Sequence, residues 1–176
     1  MKRFIVPGCV LVFALVFFVS DRAAADIKLP SDSAYRTVKK DSPQYRDIVS
    51  LFATAIESAK QKDLDSVLSL YATKYLNSGY SKADVRRQWE QIFRHFDQLD
   101  MDHRIYEIEV SGDYARMKCG GLLLGEPAVP SADEGTVGVI DSWKFATHQL
   151  VRENGEWKIL GNQVPYDSGE EHHPLF

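Results

Sequence analysis

A carboxylate, an imidazole and a phenol can move protons without a cofactor, and this chain offers candidates for all three. Asp141 and His148 lie on one long extended segment, and Tyr71 closes a short amphipathic stretch that Tyr75 and Tyr80 follow. Asp141 or His148 as base, with a tyrosine donating to a developing oxyanion, would suit isomerisation, dehydration or cyclisation. The two bases differ in parity along their strand, so a regular strand turns them to opposite faces and only a bulge between them brings both inward. Each also has a plainer role. His148 suits a core imidazole bonded to Gln163 or a backbone carbonyl, and Asp141 suits a strand-entry residue facing solvent or pairing with Lys144.

Tyr71, Trp89, Phe93, Trp143 and His148 are the candidates to line an apolar ligand pocket, although aromatic residues at helical spacing are also ordinary core. No metal or cofactor set is expected. His95 has no second ligand one turn on, His103 adjoins only Asp102 and Arg104, and His172-His173 beside Glu170-Glu171 reads as a solvated run. Cys119 reads as a buried small apolar residue, with only Arg116 and Lys118 nearby to favour a thiolate.

The element that must hold His148 is the stretch from Asp141 to Gln163, DSWKFATHQLVRENGEWKILGNQ. Asn154-Gly155 reaches positive φ readily and suits a two-residue turn between antiparallel strands. That register sets Arg152 beside Trp157, Leu150 beside Ile159 and His148 beside Gly161 on one face. Val151 with Lys158 and Gln149 with Leu160 then occupy the other.

Upstream, Ser42-Pro43 starts a helix whose apolar positions Tyr45, Ile48, Leu51, Phe52, Ala55, Ile56 and Ala59 recur at helical spacing to about Gln61. Asp63 caps a second helix with Leu64, Val67, Leu68 and Tyr71 on one face. Ser81 with Asp84 opens a third, carrying Val85, Trp89, Ile92, Phe93 and Phe96 on a broad aromatic stripe suited to a sheet. From Asp102 the period becomes two: Tyr106, Ile108 and Val110 alternate with Glu107 and Glu109. A turn at Ser111-Gly112-Asp113 leads to a returning strand over 114–124, with Gly120-Gly121 marking a bulge or bend. A loop over 127–135 precedes the long strand 136–153.

The N-terminus has a basic start at Lys2-Arg3, an apolar run from Phe4 to Ser20 and small residues at Ala23-Ala24-Ala25. That order is a secretory signal peptide cleaved near Ala25-Asp26, giving a periplasmic or secreted protein with no membrane segment after cleavage. Cleavage removes Lys2, Arg3 and Arg22 against Asp21 alone, so the formal charge of −4 becomes more negative and nucleic acid is not an expected partner. It also removes Cys9, leaving Cys119 without a disulfide partner. The expected organisation is a signal peptide over 1–25, a leader arm over 26–41, one domain over 42–164 and a tail over 165–176.

Three helices followed by antiparallel strands, ending in a tryptophan-containing hairpin, make an α+β fold with helices on one face of a curved sheet. In that order the chain resembles the nuclear transport factor 2-like superfamily, which includes the SnoaL-like polyketide cyclases and ketosteroid isomerase-like proteins. The resemblance rests on Lys62-Asp63-Leu64-Asp65-Ser66-Val67-Leu68-Ser69-Leu70-Tyr71 and on Leu150-Val151-Arg152-Glu153-Asn154-Gly155-Glu156-Trp157-Lys158-Ile159. It implies a cone: three N-terminal helices packed on a strongly curved, mainly antiparallel sheet, with a pocket open at one end.

Such folds carry enzymes and non-catalytic modules alike, and no enzyme motif carries over residue by residue. The leading expectation is an exported, non-catalytic domain that holds a small apolar ligand or a protein partner. The alternatives are a cofactor-free isomerase, dehydratase or cyclase using His148 or Asp141, and a module that dimerises through the open sheet face bearing Phe145, Val151 and Leu160.

Overall fold

The computed structural model describes residues 27–129 and 137–165. The expected signal peptide with its expected cut, most of the 127–135 loop, and the His172-His173 run lie outside the described residues.

The helices begin where side-chain caps supply acceptors for otherwise orphaned amides. Helix α1 (Pro43–Lys60) starts on Ser42, whose hydroxyl accepts from the Tyr45 amide at 3.2 Å. Helix α2 (Leu64–Ser69) starts on Asp63, which accepts from the Ser66 amide at 3.1 Å. Helix α3 (Lys82–His95) has the full reciprocal box, Ser81 and Asp84 each bonding the other's backbone. Phe96, expected on the α3 stripe, instead opens a strand: its extended φ of −127° ends the helix.

The main sheet has five antiparallel strands in the order β1-β4-β5-β6-β7, where β1 is Arg36–Thr37, β4 Phe96–Ser111, β5 Tyr114–Pro127, β6 Gly138–Glu153 and β7 Glu156–Ile159. A two-strand ribbon, β2 (Leu76–Asn77) with β3 (Tyr80–Ser81), sits between α2 and α3. The leader arm is therefore partly ordered, since Arg36 and Thr37 extend the sheet beyond β4 and Arg116 bonds Asp32 at 2.6 Å and Glu109 at 2.7 Å. The hairpin has the expected register from Glu153 to Leu150, with Leu150 opposite Ile159 and Arg152 opposite Trp157, around a turn in which Asn154 and Gly155 both have positive φ; the ladder ends at Ile159, so the expected pairing of His148 with Gly161 does not form.

Two bulges near the middle of the sheet decide which side chains face the helices. On β4 the extra residue is Tyr106, between Ile105 and Glu107. Tyr106 is consequently 42% exposed on the outer face and does not share the inner face with Ile108 as simple alternation from Asp102 implies. On β6 the chain gains one residue between Trp143 and Ala146, with Phe145 at φ 56°. Cross-strand neighbours share a face, so the inner face carries the rows Met101–Leu123–Asp141, His103–Gly121–Trp143, Ile105–Cys119–Ala146, Ile108–Met117–His148 and Val110–Ala115–Leu150.

Between the bulges lies Gly120-Gly121. A β-carbon on Gly121 would overlap the Trp143 ring, and one on Gly120 would lie 2.7 Å from the Tyr106 hydroxyl. Two aromatic side chains thus lie flat against opposite faces of β5 at consecutive residues. The outer one meets Phe145, ring centroids 4.9 Å apart.

The core joins α1, α2 and α3 to this inner face through Ile48, Phe52, Val67, Tyr71, Val85, Trp89, Ile108, Met117, Trp143, Leu150, Trp157 and Ile159. Leu160, placed by the sequence on an open sheet face, is fully buried because the chain turns off the sheet after Ile159: its carbonyl accepts from the Leu76 amide and Gly161 has φ 78°. The exposed apolar side chains near that face are Phe145, Tyr106 and Val139.

Gly121→Ala is expected to cost about 1–3 kcal/mol in urea unfolding, because a buried indole must leave its seat. Gly120→Ala should cost under about 1 kcal/mol, since only the far end of the partly exposed Tyr106 has to move. Equal costs for the two variants would contradict the opposed-ring packing.

Candidate functional site

The inner face of the sheet collects the polar groups that can do chemistry. The β6 bulge meets the condition set by the sequence: Asp141 opposite Leu123 and His148 opposite Met117 both turn toward the helices. His148 is 4% exposed, and Leu123 and Met117 are fully buried. The Asp141 carboxylate accepts from the Ser142 amide at 2.8 Å. Gln163 directs its amide to the carbonyls of Leu160, Leu76 and Lys74 rather than to His148.

The same face brings in a residue the sequence weighed only as a metal ligand. His103 of β4 stands opposite Gly121 in the row with Trp143. Its imidazole lies 4.9 Å from the Phe52 ring of α1 and 6.0 Å from the Trp143 ring, and the Phe52 ring also meets His148 at 6.3 Å. A signal for it was present, because Leu99, Met101 and His103 alternate with Asp100, Asp102 and Arg104. Counting the period from Asp102 through Tyr106 hid that alternation across the bulge.

Two groups of rings emerge. One is Phe52, His103, Trp143 and His148. The other lies under α3: the Trp89 indole donates to the Tyr71 hydroxyl at 3.2 Å, Trp89 meets Phe93 at 5.4 Å, and Tyr71 meets Tyr75 edge-on at 5.0 Å. The five pocket residues expected from the sequence are thus divided, Tyr71, Trp89 and Phe93 in the second group and Trp143 and His148 in the first. All but His148 belong to, or pack against, one continuous apolar core.

Desolvation sets the protonation of these groups. Burial pushes the His103 imidazole down to about 4, against a smaller opposing pull from the neighbouring Asp102, so it is neutral near pH 7. Burial likewise raises the Tyr71 and Tyr75 phenols, which stay protonated and able to donate. It holds the Cys119 thiol at about 11, where Sγ accepts from the Trp143 indole at 3.2 Å. Cys119 is therefore a packing residue that orients Trp143 and not a nucleophile. The arrangement offers neutral imidazole to a ligand, with a carboxylate on the same face and aromatic walls around it.

The depressed His103 value gives a signed pH dependence. The unfolded chain takes up this proton near 6.5 and the folded chain only near 4. Stability is therefore complete above the unfolded value, falls as pH drops between the two, and levels off below the lower one, by up to about 3 kcal/mol and less where water reaches the ring. Urea unfolding between about pH 7 and pH 4 measures it, and His103→Phe should remove this part of the acid slope.

In sequence, no family model and no curated protein matches the chain. In structure, a protein of Novosphingobium aromaticivorans described as a candidate scytalone dehydratase superposes with a TM-score of 0.56 at 12% identity, covering 73% of this chain and 95% of that one. A candidate dehydratase of the NTF2-like family from Streptomyces avermitilis gives 0.51 at 16% identity, covering 68% and 94%. Aln2 from another Streptomyces strain gives 0.53 at 17% identity, covering 70% and 91%. With its helices packed on a bent antiparallel sheet and these structures as neighbours, the chain has the nuclear transport factor 2-like α+β fold.

Proposed function

We propose that the protein is an exported, non-catalytic domain that binds a small, uncharged, largely apolar molecule on the inner face of its sheet. The observation that carries this is the Phe52 ring meeting both His103 and His148, at 4.9 and 6.3 Å. The five inner-face rows described above contain no lysine or arginine. An anionic ligand would meet the Asp141 carboxylate there with no cation in those rows to offset it, whereas a hydroxyl or carbonyl oxygen finds imidazole partners. Phe52 and Trp143 supply the apolar surface beside the imidazoles. Export rests on the N-terminal pattern of basic, apolar and small residues.

A second reading, a cofactor-free dehydratase, isomerase or cyclase, is favoured by the β6 bulge, which sets Asp141 and His148 on one face. Two of the structural neighbours are described as candidate dehydratases, and that description belongs to those proteins.

A thermal-shift screen of neutral aromatic and alicyclic alcohols and ketones should raise Tm with at least one class, and carboxylate analogues of the same rings should not bind on this face. His103→Ala and His148→Ala should each weaken that ligand about tenfold. Turnover of the stabilising compound, lost in Asp141→Asn and His148→Ala, would replace the binding reading with the enzyme reading. No stabilisation by any neutral class would remove both. The mass of the exported product should begin at Asp26, and a product retaining residues 1–25 would contradict the cleavage.

A further inference from the structure

The three tryptophans of this chain differ in what their indole N–H groups meet. Trp89 donates to the Tyr71 hydroxyl and Trp143 to the Cys119 sulfur. Trp157 is 4% exposed, and its buried Nε1 has no acceptor among the described residues. Directly across the hairpin, the Arg152 guanidinium lies over the Trp157 ring with Cζ 4.8 Å from the centroid, and Arg152 Nε is a second buried donor without an acceptor among those residues. Buried donors are almost always paired, so two orphans on stacked, opposed side chains make an unusual concentration of unmet hydrogen-bonding capacity.

We propose that Arg152 and Trp157 form a binding site for a small monocarboxylate, one oxygen accepting from Arg152 Nε and the other from the Trp157 indole. Guanidinium edges match carboxylates in geometry as well as charge, and N–H···O bonds of about 2.9 Å let two carboxylate oxygens serve donors on adjacent stacked planes. Both donor atoms are buried, and the Arg152 side chain that carries one of them is 34% exposed as a whole. Asp47 of α1 stands at 4.0 Å from the guanidinium, beyond hydrogen-bond distance, with its side chain 59% exposed. Its charge leaves room for one negative charge on the ligand but opposes two, which favours a carboxylate over a phosphate dianion. The Arg152 backbone is fixed independently, its amide donating to the Asp113 carbonyl at 2.8 Å, so the side chain projects from a rigid strand. Arg152 follows His148 by four residues on β6, about 13 Å along the strand, so this site is separate from the His103–His148 face and does not depend on how that face is used.

Proton–nitrogen NMR of the labelled protein tests this with built-in controls. Titration with sodium acetate against sodium chloride at constant ionic strength should move the Trp157 indole resonance saturably. The Trp89 and Trp143 indoles, already bonded, should stay in place. Arg152→Gln should weaken acetate at least tenfold, and Asp47→Asn should tighten it. If Arg152→Gln displaces the Trp89 and Trp143 resonances, indicating a disturbed fold, Arg152→Lys serves instead; it keeps the charge, lacks the guanidinium fork, and should also lose the saturable shift. A Trp157 indole that moves equally with chloride, or does not move with acetate, overturns the site and leaves ordered water as the partner of these donors. Phosphate binding as tightly as acetate overturns the monocarboxylate assignment.

Discussion

The sheet depends on a close approach that only glycine allows. At Gly120 and Gly121, successive side-chain directions on β5 are left empty, and the Tyr106 and Trp143 rings fill them from opposite faces. A bulge in β4 and another in β6 flank this point, and each shifts the parity of its strand. The shift in β6 has the larger effect on chemistry. Without it Asp141 and Trp143 would face away from His148, and with it the long strand presents all three toward the helices. A bulge residue costs ladder hydrogen bonds, and Phe145 at φ 56° adds backbone strain. The buried indole and the Tyr106–Phe145 contact oppose that cost.

Once the inner face is closed by α1 and α3, burial governs what its polar groups can be. His103 stays neutral because the charged ring would sit among Phe52, Trp143 and apolar strand residues. The same desolvation keeps Cys119 a thiol and the Tyr71 and Tyr75 phenols protonated. One physical effect therefore keeps His103, Cys119, Tyr71 and Tyr75 uncharged near neutral pH. The Arg152–Trp157 pair lies farther along the strand and has the opposite character, a cation with orphaned donors.

The rim is held by polar ties of modest individual strength. Glu153 at the hairpin tip accepts from the Thr73 amide at 3.1 Å, and Lys82 donates to the Tyr71 carbonyl at 2.8 Å. Asn162 accepts from the Ser78 amide and donates to the Ser78 hydroxyl, both at 2.8 Å, which docks the β2–β3 ribbon on the chain leaving β7. Gly161 has positive φ where a β-carbon would overlap the Leu76 carbonyl, so the exit from the hairpin admits little else. Together these contacts lock the hairpin to the helical layer, so that Tyr71 and Trp89 stay over the same sheet that carries His148.

What the sequence alone determined was local. Ser42-Pro43, Asp63 and Ser81 start helices because their side chains satisfy nearby amides, and Asn154-Gly155 sets the hairpin register because it reaches positive φ. Those signals act within a few residues, and with the order of elements they were enough to imply an α+β fold with helices on one face of the sheet. The site was only partly legible. His148 could be placed from strand alternation, but Asp141 and Trp143 depended on a bulge, His103 was hidden behind a second bulge at Tyr106, and Leu160 was buried where the chain leaves the sheet. Period-two reading assumes an unbroken strand, and a bulge is a response to packing across strands. The Trp143 ring over Gly121, from strands far apart in sequence, belongs to the tertiary structure alone, and it is that contact which accompanies the turn of Asp141, His103 and His148 toward one side.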